Sequence, residues 1–453
     1  MSDPKNYSEL IMFAVIPPRA SPRVLVSAAV RVGFLCVLLV TASGSAYGQG
    51  AGLTLEEALA QATNRSAAIQ ASESSISASL NAVISAGELP DPVLKLGIDS
   101  VPIEGPMRYS VSRDSMTMRR IGIEQEWVSA DKRGRRERLA DQQVNRARAD
   151  LILQTANTRQ QTAIAWLNAA YAQRALQLSN VLMTQMTEEL TTTRASYRGL
   201  RATAVDVTQT QMLRSQTKDS LFKAQQDLRS ALISLSRWVA APVIRVEGKV
   251  PSLHSKVSSL TLQELNRVQP ELLLAEREIS IADAATAVAT SNRSPNWTWG
   301  VTYQQRGSQY QDMVSVGVSI PLPIARANRQ DRDVAQAAAM GNRARFILRE
   351  TQRGVQADIE NLSTALANGR ERVDSLNTTL LPAAERQVGL ATAAYKASTG
   401  SLAYVFKAKR ELLDAKLQIL ELELDVAQIW ARLEYQIIPN NDESTQRVSH
   451  AAD

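Results

Sequence analysis

The sequence is poor in the residues that most catalytic and metal-binding sites use. Among 453 residues there are one cysteine, Cys36, and two histidines, His254 and His450. Neither histidine has a second ligand at metal-binding spacing, and a single cysteine cannot form an intrachain disulfide. The chain also lacks paired carboxylates, a phosphate-binding loop and a nucleophile elbow. We therefore predict that the protein is not an enzyme and that it has no cofactor and no resident metal.

Long hydrophobic runs are also missing, because no stretch reaches the ~18 apolar residues of a membrane-spanning helix. The apolar run 32–40 is shorter, follows basic residues and precedes the small residues 43–48. This pattern predicts a signal peptide over residues 1–48, cleaved after Ala46 or Gly48. An uncleaved membrane anchor is the alternative. The residues beside Cys36 do not form a lipoprotein cleavage box, so no acyl anchor is predicted.

Neither aromatic residues nor charge of one sign dominates the composition. Aromatic residues make up 5% of the chain, which is typical of long packed helices rather than of a β-sandwich. The formal net charge is +6, with acidic and basic residues interspersed. This pattern indicates a solvated helical surface and predicts no nucleic-acid binding.

Glycine and proline are absent from residues 135–198, where apolar residues recur at steps of three and four. This spacing places one apolar stripe along a single helix. At 1.5 Å per residue, such a helix is roughly 95 Å long, far beyond the average of about 11–12 residues. A helix of this length must pack lengthwise against other helices.

The order of predicted elements occurs twice in the chain. Leu53-Thr-Leu-Glu-Glu resembles Leu260-Thr-Leu-Gln-Glu at an offset of 207 residues, and Tyr197 matches Tyr395 at an offset of 198. In both copies a capped helix precedes two strands, a long helix and a further helix. We predict a first repeat over 53–245, a linker over 246–259, a second repeat over 260–437 and a C-terminal tail over 438–453. Pro382 should kink the long helix of the second repeat.

The four predicted strands alternate apolar residues with small or polar ones. A lone sheet of this size cannot leave one wholly apolar face in water, whereas nine to eleven alternating residues suit a tilted transmembrane strand. A half-buried soluble sheet packed on helices is the alternative. Four strands cannot close a membrane barrel, so insertion would require several copies. The predicted lipid-facing residues are Leu94, Leu96, Ile98, Ile121, Ile123, Trp297, Trp299, Val316 and Val318.

The duplicated plan and its two helix-ending turns resemble one family. Tyr197-Arg-Gly-Leu-Arg-Ala-Thr203 and Tyr395-Lys-Ala-Ser-Thr-Gly400 are similar to the turns of the TolC family of outer-membrane efflux channels. Two further segments resemble a narrower group, the outer-membrane subunits of resistance-nodulation-division pumps that export heavy metals, of the cobalt–zinc–cadmium and copper–silver type. These segments are residues 87–98 and residues 113–126, and the second leads into Asp131-Lys-Arg. This narrower group is called the heavy-metal branch below.

The resemblance implies a mainly α fold with a small β part and a homotrimer. Three chains would form a 12-stranded β-barrel in the outer membrane and a 12-helix coiled-coil tunnel in the periplasm. A periplasmic adaptor and an inner-membrane, proton-driven pump would be the partners, together with outer-membrane lipid. The implied function is passive conduction of substrate, heavy-metal cations above all, from the periplasm to the outside. The alternatives are a multidrug channel of the same type and, more distantly, a periplasmic coiled-coil adaptor or scaffold.

The two turns are also the candidate functional tips. The resemblance implies that they dock on the adaptor, and the predicted docking residues are Arg198, Gly199, Leu200, Arg201, Thr399 and Gly400. Where a multidrug member of the family has two gate aspartates after the second turn, this sequence has Tyr404 and Lys407. The first repeat has Asp206. We predict these three residues as gate candidates, with Lys407 pairing with Asp206 in the closed channel.

Overall fold

The computed structural model describes residues 52–255, 257–307 and 309–437, without the side chains of residues 258 and 262. The predicted signal peptide and C-terminal tail lie outside these residues. The described chain consists of long helices and one four-stranded sheet, so the predicted mainly α fold with a small β part is confirmed. None of its helices is long and apolar enough to cross a membrane.

The first half of the chain contains four helices and two strands. The sequence predicted one helix before the strands, but two are present because Ser66 interrupts it. Ser66 has an extended backbone (ψ 118°) and its hydroxyl accepts a hydrogen bond from Ile69 N at 3.4 Å, which starts a new helix. The elements are α1 (Leu55–Arg65), α2 (Ala67–Gly87), β1 (Val93–Asp99), β2 (Met118–Trp127), α3 (Ala130–Arg198) and α4 (Ala204–Val239).

The second half repeats this order, with one more interruption. The counterpart of α3 contains a π-helical turn, Leu376–Leu380, directly before Pro382, where the sequence predicted a kink. Proline has no N–H for the helical ladder, so the bonding pattern changes there. The elements are α5 (Leu262–Val268), α6 (Pro270–Ser291), β3 (Trp297–Gln305), β4 (Met313–Ser319), α7 (Gln330–Ser375), α8 (Leu381–Lys396) and α9 (Leu402–Glu434).

Both halves begin with the same helix cap. Thr54 and Glu57 form the predicted capping box: Thr54 N donates to Glu57 Oε2 at 3.0 Å, and Glu57 N donates to Thr54 Oγ1 at 3.3 Å. Thr261 and Glu264 make the same two bonds at 2.8 and 3.4 Å. Two orphan N–H groups are thereby satisfied at each helix start.

The core lies around the middle of α3, which packs against α1, α2, α4, α6 and α9. Trp166 is 1% exposed, and its Nε1 donates to Leu53 O at 2.8 Å. Leu53 in turn forms a parallel bridge with Val246. In the second half, Trp430 Nε1 donates to His254 O at 3.0 Å. Two indoles therefore hold the extended segments that precede the first helix of each half.

The sheet is an antiparallel meander in the order β1-β2-β3-β4. Its register pairs Leu94 with Ile123, Ile123 with Val301 and Val301 with Val316. Strands β1 and β4 form its edges. Each edge therefore has one side without a strand partner among the described residues.

Candidate functional site

One face of the sheet, called the outer face below, is apolar over most of its area. Because partners across strands share a face, the register places all nine predicted lipid-facing residues on this side. Each of the nine is exposed in the single chain. At the end next to the helices, the rings of Trp127 and Trp297 lie 6.3 Å apart. The outer-face residues are Leu94, Leu96, Ile98, Ile121, Ile123, Trp127, Trp297, Trp299, Val301, Tyr303, Val314, Val316 and Val318, with Arg119, Gln125 and Gln305.

The opposite face of the sheet is polar and charged. Lys95 Nζ lies 2.5 Å from Glu124 Oε1, and Arg120 pairs with Asp99 at 2.8 Å. Glycine recurs between these charges for a steric reason: a Cβ at Gly300 would lie 2.8 Å from Glu124 Cγ. The glycine therefore leaves room for a long charged side chain to lie across its neighbour. This face suits contact with water.

A hydrogen-bond network around one buried lysine connects the two halves where the sheet meets the helices. Lys132, in the first turn of α3, is 5% exposed, and its Nζ donates to Ser294 O and to Asn296 Oδ1, the latter at 2.6 Å. Asn296 Nδ2 donates to Glu126 Oε1 at 2.7 Å. Burial, and then the nearby Arg136, lower the pKa of Lys132. Sequence reasoning missed this network, because Lys132 stands in a basic run that resembles a solvated surface.

The two helix-ending turns at the far end of α3 and α8 share one backbone geometry; they are called the first tip (198–203) and the second tip (396–401). In the first tip, Gly199, Leu200 and Arg201 donate to Ala195, Tyr197 and Ser196 at 3.1, 3.0 and 2.8 Å. In the second tip the residues 198 positions later donate in the same pattern at 2.9, 3.0 and 3.0 Å: Ala397 to Ala393, Ser398 to Tyr395 and Thr399 to Ala394. The predicted docking residues Thr399 and Gly400 both donate to Ala394 O.

The first tip ends in a strained and exposed leucine. Leu200, not the neighbouring Gly199, has the left-handed backbone (φ 56°), and its side chain is 94% exposed. A left-handed residue with a Cβ costs roughly 1–2 kcal/mol. Ser398 has the same conformation in the second tip. An exposed leucine on a strained backbone does not stabilise the single chain. Its presence therefore indicates selection for a property other than stability.

Among the described residues, no hydrogen bond or ion pair joins the gate candidate Asp206 to Tyr404 or Lys407. Asp206 closes a capping box at the start of α4, where its Oδ2 accepts from Thr203 N at 2.7 Å and from Thr203 Oγ1 at 2.8 Å. These bonds lower the pKa of Asp206. Lys407 lies 3.8 Å from Glu411, and Tyr404 is exposed beside it in a groove between α8 and α9. The predicted Lys407–Asp206 pair is therefore not present within the described part of the single chain.

One buried acid lies in the contact between α3 and α9, near the tips. Glu189 is 5% exposed, and its Oε2 lies 3.9 Å from Arg410. Burial raises the pKa of Glu189, and the positive charges of Arg410 and Lys409 offset only part of this effect. Sequence reasoning missed this residue, because a single glutamate on a long polar helix carries no signal of burial.

Comparison with known proteins identifies relatives that match most of the chain. No protein-family model matches the sequence. The cobalt-zinc-cadmium resistance protein CzcC of Cupriavidus metallidurans is 22% identical over 371 residues, which cover 81% of this chain and 86% of CzcC. The crystal structure of the outer membrane protein VceC of Vibrio cholerae has a TM-score of 0.68 at 14% identity, covering 84% of this chain and 95% of VceC.

A structure of CusC, described in connection with transmembrane channel formation, also matches. Its TM-score is 0.68 at 15% identity, over 86% of this chain and 95% of CusC. At these identities the solved structures establish the fold, and the long coverage shows that the fold extends over nearly the whole of each relative. The chain therefore has the fold of the outer-membrane channels of the TolC family, and its predicted resemblance to the heavy-metal branch of that family is confirmed.

Proposed function

We propose that this chain is the outer-membrane channel subunit of a tripartite efflux pump and that it acts as a homotrimer. The observation that carries the proposal is the sheet, whose outer face is mostly apolar and exposed and whose two edge strands each have one side without a strand partner among the described residues. In water such a face would aggregate and such edges would pair at random. In a membrane the same features are requirements for a closed barrel.

Three copies satisfy both requirements. If β4 of one chain pairs with β1 of the next, the antiparallel meander continues without a break, because the outermost strands of a four-stranded meander run in opposite directions. Twelve strands then close a barrel with the apolar face toward lipid and the charged face toward a water-filled interior. The helices of the repeats 53–245 and 260–437 extend from the barrel as a periplasmic tunnel.

We infer that the transported substrates are heavy-metal cations. CzcC is named for resistance to cobalt, zinc and cadmium, and it matches this chain over most of both lengths. The channel subunit passes its substrate on without chemical change, so neither an enzyme site nor a cofactor is part of the proposal. A multidrug channel of the same fold is the alternative that the experiment below must separate.

The first and second tips are the proposed docking sites for the periplasmic adaptor. The strained, exposed Leu200 supports this role, because a partner that buries its side chain recovers hydrophobic free energy that the single chain does not obtain. The gate is proposed to close through pairs between Lys407 of one chain and Asp206 of its neighbour. Exposed pairs of this kind contribute only about 0–1 kcal/mol each, which suits a gate that a partner must open.

Deletion of the gene in its natural host, followed by complementation, tests the proposal. The wild-type gene should restore growth in cobalt, zinc or cadmium salts, and the outer-membrane fraction should contain a trimer whose electrophoretic migration changes on heating. Restored tolerance to organic antibiotics without any change in metal tolerance would favour the multidrug channel. Absence of a heat-modifiable trimer from the outer membrane would favour a periplasmic adaptor or scaffold.

A further inference from the structure

The apolar row of β4 does not stop where the strand stops. Val314, Val316 and Val318 lie on the outer face, and Ile320 and Leu322 continue the same alternation beyond Ser319. After a tight turn, in which Ile324 N donates to Leu322 O at 2.9 Å, Ile324 follows. Leu322 is 76% exposed and Ile324 is 93% exposed. Pro321 and Pro323 lack N–H groups, so this stretch is not built to extend the ladder.

These residues lie at the level where the apolar face ends. The register pairs Thr298 with Ser319, so Ile320 follows next to Trp297, at the tryptophan pair of the outer face. Leu322 and Ile324 then lie on the helix side of the tryptophans. Tryptophan rings mark the boundary between hydrocarbon and headgroups in membrane proteins. If the outer face is in the membrane, Ile320 to Ile324 are at headgroup depth.

Arginines follow directly after these apolar residues. Arg326, Arg329 and Arg332 are exposed and occur at every third position. Arg326 is 3.6 Å from Asp331 Oδ1, an oxygen that already binds Arg293 at 2.9 Å. Within the described chain, Arg329 and Arg332 have no ion-pair partner.

The local charge is therefore positive. Four arginines (293, 326, 329 and 332) face two aspartates (331 and 333) within this region, a balance of 4 − 2 = +2. Three members of the nearby basic run 132–138 differ, because they have partners within the chain: Lys132 is buried and donates to Ser294 O, Arg133 donates to Gly87 O, and Arg135 pairs with Asp131.

We propose that residues 320–332, called the anchor segment, bind anionic phospholipid in the periplasmic leaflet of the outer membrane. Ile320, Leu322 and Ile324 lie among the upper acyl chains, and Arg329 and Arg332 bind the phosphate groups. Lipid is favoured as the occupant because the apolar row continues the lipid-facing surface without a break and the adjoining charge is positive. Arginine matches phosphate in charge and in bidentate geometry. The inference rests on the proposed function, since it requires the sheet to lie in the membrane.

Depth-dependent fluorescence quenching tests the position of the anchor segment. Cys36 is replaced by serine, and single cysteines are introduced as Ile324→Cys, Val316→Cys and Ile244→Cys. Ile244 is a matched control, because it is similarly exposed and its neighbours Val243 and Val246 belong to the core around the middle of α3, not to the sheet. The trimers are labelled with an environment-sensitive fluorophore in vesicles of phosphatidylethanolamine and phosphatidylglycerol. Quenchers attached deep in the acyl chain should act on position 316, shallow quenchers should act on position 324, and neither should act on position 244.

Lipid binding by the arginines is tested separately by titrating delipidated trimer with phosphatidylglycerol. An arginine near an anionic surface is worth about a fivefold change in affinity, which is about 1 kcal/mol. The double variant Arg329→Gln and Arg332→Gln should therefore weaken binding by roughly 25-fold if both act independently. Arg343→Gln is the matched control, since Arg343 is exposed on the same helix farther from the sheet.

Each outcome supports or overturns a defined part of the proposal. Quenching at position 316 without quenching at position 324 overturns the anchor segment and leaves the channel function intact. Cross-linking of position 324 to a neighbouring chain, together with protection from quenchers, means that a second copy covers the segment instead. Equal affinities in the double variant and the Arg343→Gln control overturn the role of the arginines. No quenching at position 316 overturns the proposed function itself. If Ile324→Cys does not assemble, Leu322→Cys probes the same segment.

Discussion

The sheet makes a quantitative prediction about charge on its outer face, and Val316→Arg tests it best. Val316 pairs with Val301, the fifth of the nine residues of β3, so it lies near the middle of the sheet. Val301 is four residue steps along the strand from Trp297. At about 3.4 Å per residue and a tilt of about 40°, these four steps span roughly 10 Å of depth. Half of an apolar band ~25 Å tall is about 12 Å, so Val316 lies close to the midplane.

This position sets the expected cost. Arginine at the midplane of a membrane barrel costs about 2–4 kcal/mol per chain, so three chains together lose about 6–12 kcal/mol. Val318 pairs with Trp299, two residues nearer to the tryptophan pair. Since the cost of a charge decreases toward the interface, Val318→Arg should cost less than Val316→Arg. Ser315→Arg is the matched control, because Ser315 lies next to Val316 on the charged face.

The assay is the yield of heat-modifiable trimer in the outer membrane, followed by urea unfolding of the trimers in vesicles. The expected order of stability is wild type and Ser315→Arg, then Val318→Arg, then Val316→Arg. An equal loss at positions 315 and 316 would mean that both faces meet the same solvent. The lipid-facing assignment, and the barrel built on it, would then be refuted.

Further predictions concern the tips, the gate, the α3–α9 contact and the junction network. Leu200→Gly relieves the strain of the left-handed backbone, so it should stabilise the trimer by about 1 kcal/mol in urea unfolding. The same variant should lower metal tolerance, because it removes the side chain proposed to dock on the adaptor. Unchanged metal tolerance contradicts this docking role. In planar bilayers Lys407→Ala and Asp206→Ala should each raise the open fraction, and the double variant should add little; unchanged open fractions in both single variants remove the pair from the gate. Because burial raises the pKa of Glu189, the folded chain binds the Glu189 proton more tightly than the unfolded chain does. The neutral variant Glu189→Gln should therefore raise the Tm at pH 7. The difference in Tm between this variant and wild type should shrink as the pH falls, because the wild-type carboxyl then gains its proton. A difference in Tm that does not depend on pH refutes this account. Lys132→Met removes two hydrogen bonds from a partly buried site and should cost about 1–3 kcal/mol in urea unfolding; a variant as stable as wild type contradicts the role of the network.

Local patterns made the architecture predictable. The capping boxes at Thr54 and Thr261, the absence of glycine and proline before Arg198, and the alternation of the strands are signals that a few neighbouring residues carry by themselves. The alternation of apolar residues in each strand also predicts which side chains share one face of the sheet, without knowledge of how the strands pair. These signals depend on backbone geometry and burial, which tertiary contacts rarely override in long periodic elements.

The unpredicted features depend on contacts between distant residues. Lys132 is buried only because Ser294 and Asn296, more than 160 residues later, lie beside it. Leu200, and not the neighbouring Gly199, has the left-handed backbone, because the three backbone bonds at the end of α3 select the position and not the residue type. The predicted tip, gate and lipid-facing residues differ from both, because their proposed partners are other molecules.

Contacts between the two ends of the first repeat affect the order in which the chain can fold. Gly52 N donates to Glu247 Oε2 at 2.9 Å across a separation of 195 residues, next to the bridge between Leu53 and Val246. A chain that emerges from its N-terminus cannot make these contacts until residue 247 has appeared, when α3 and α4 are already available. Closing so long a loop is slow compared with forming the helices. The extended segment at Leu53 therefore stays without its partner Val246 until a little more than half of the 453 residues have emerged.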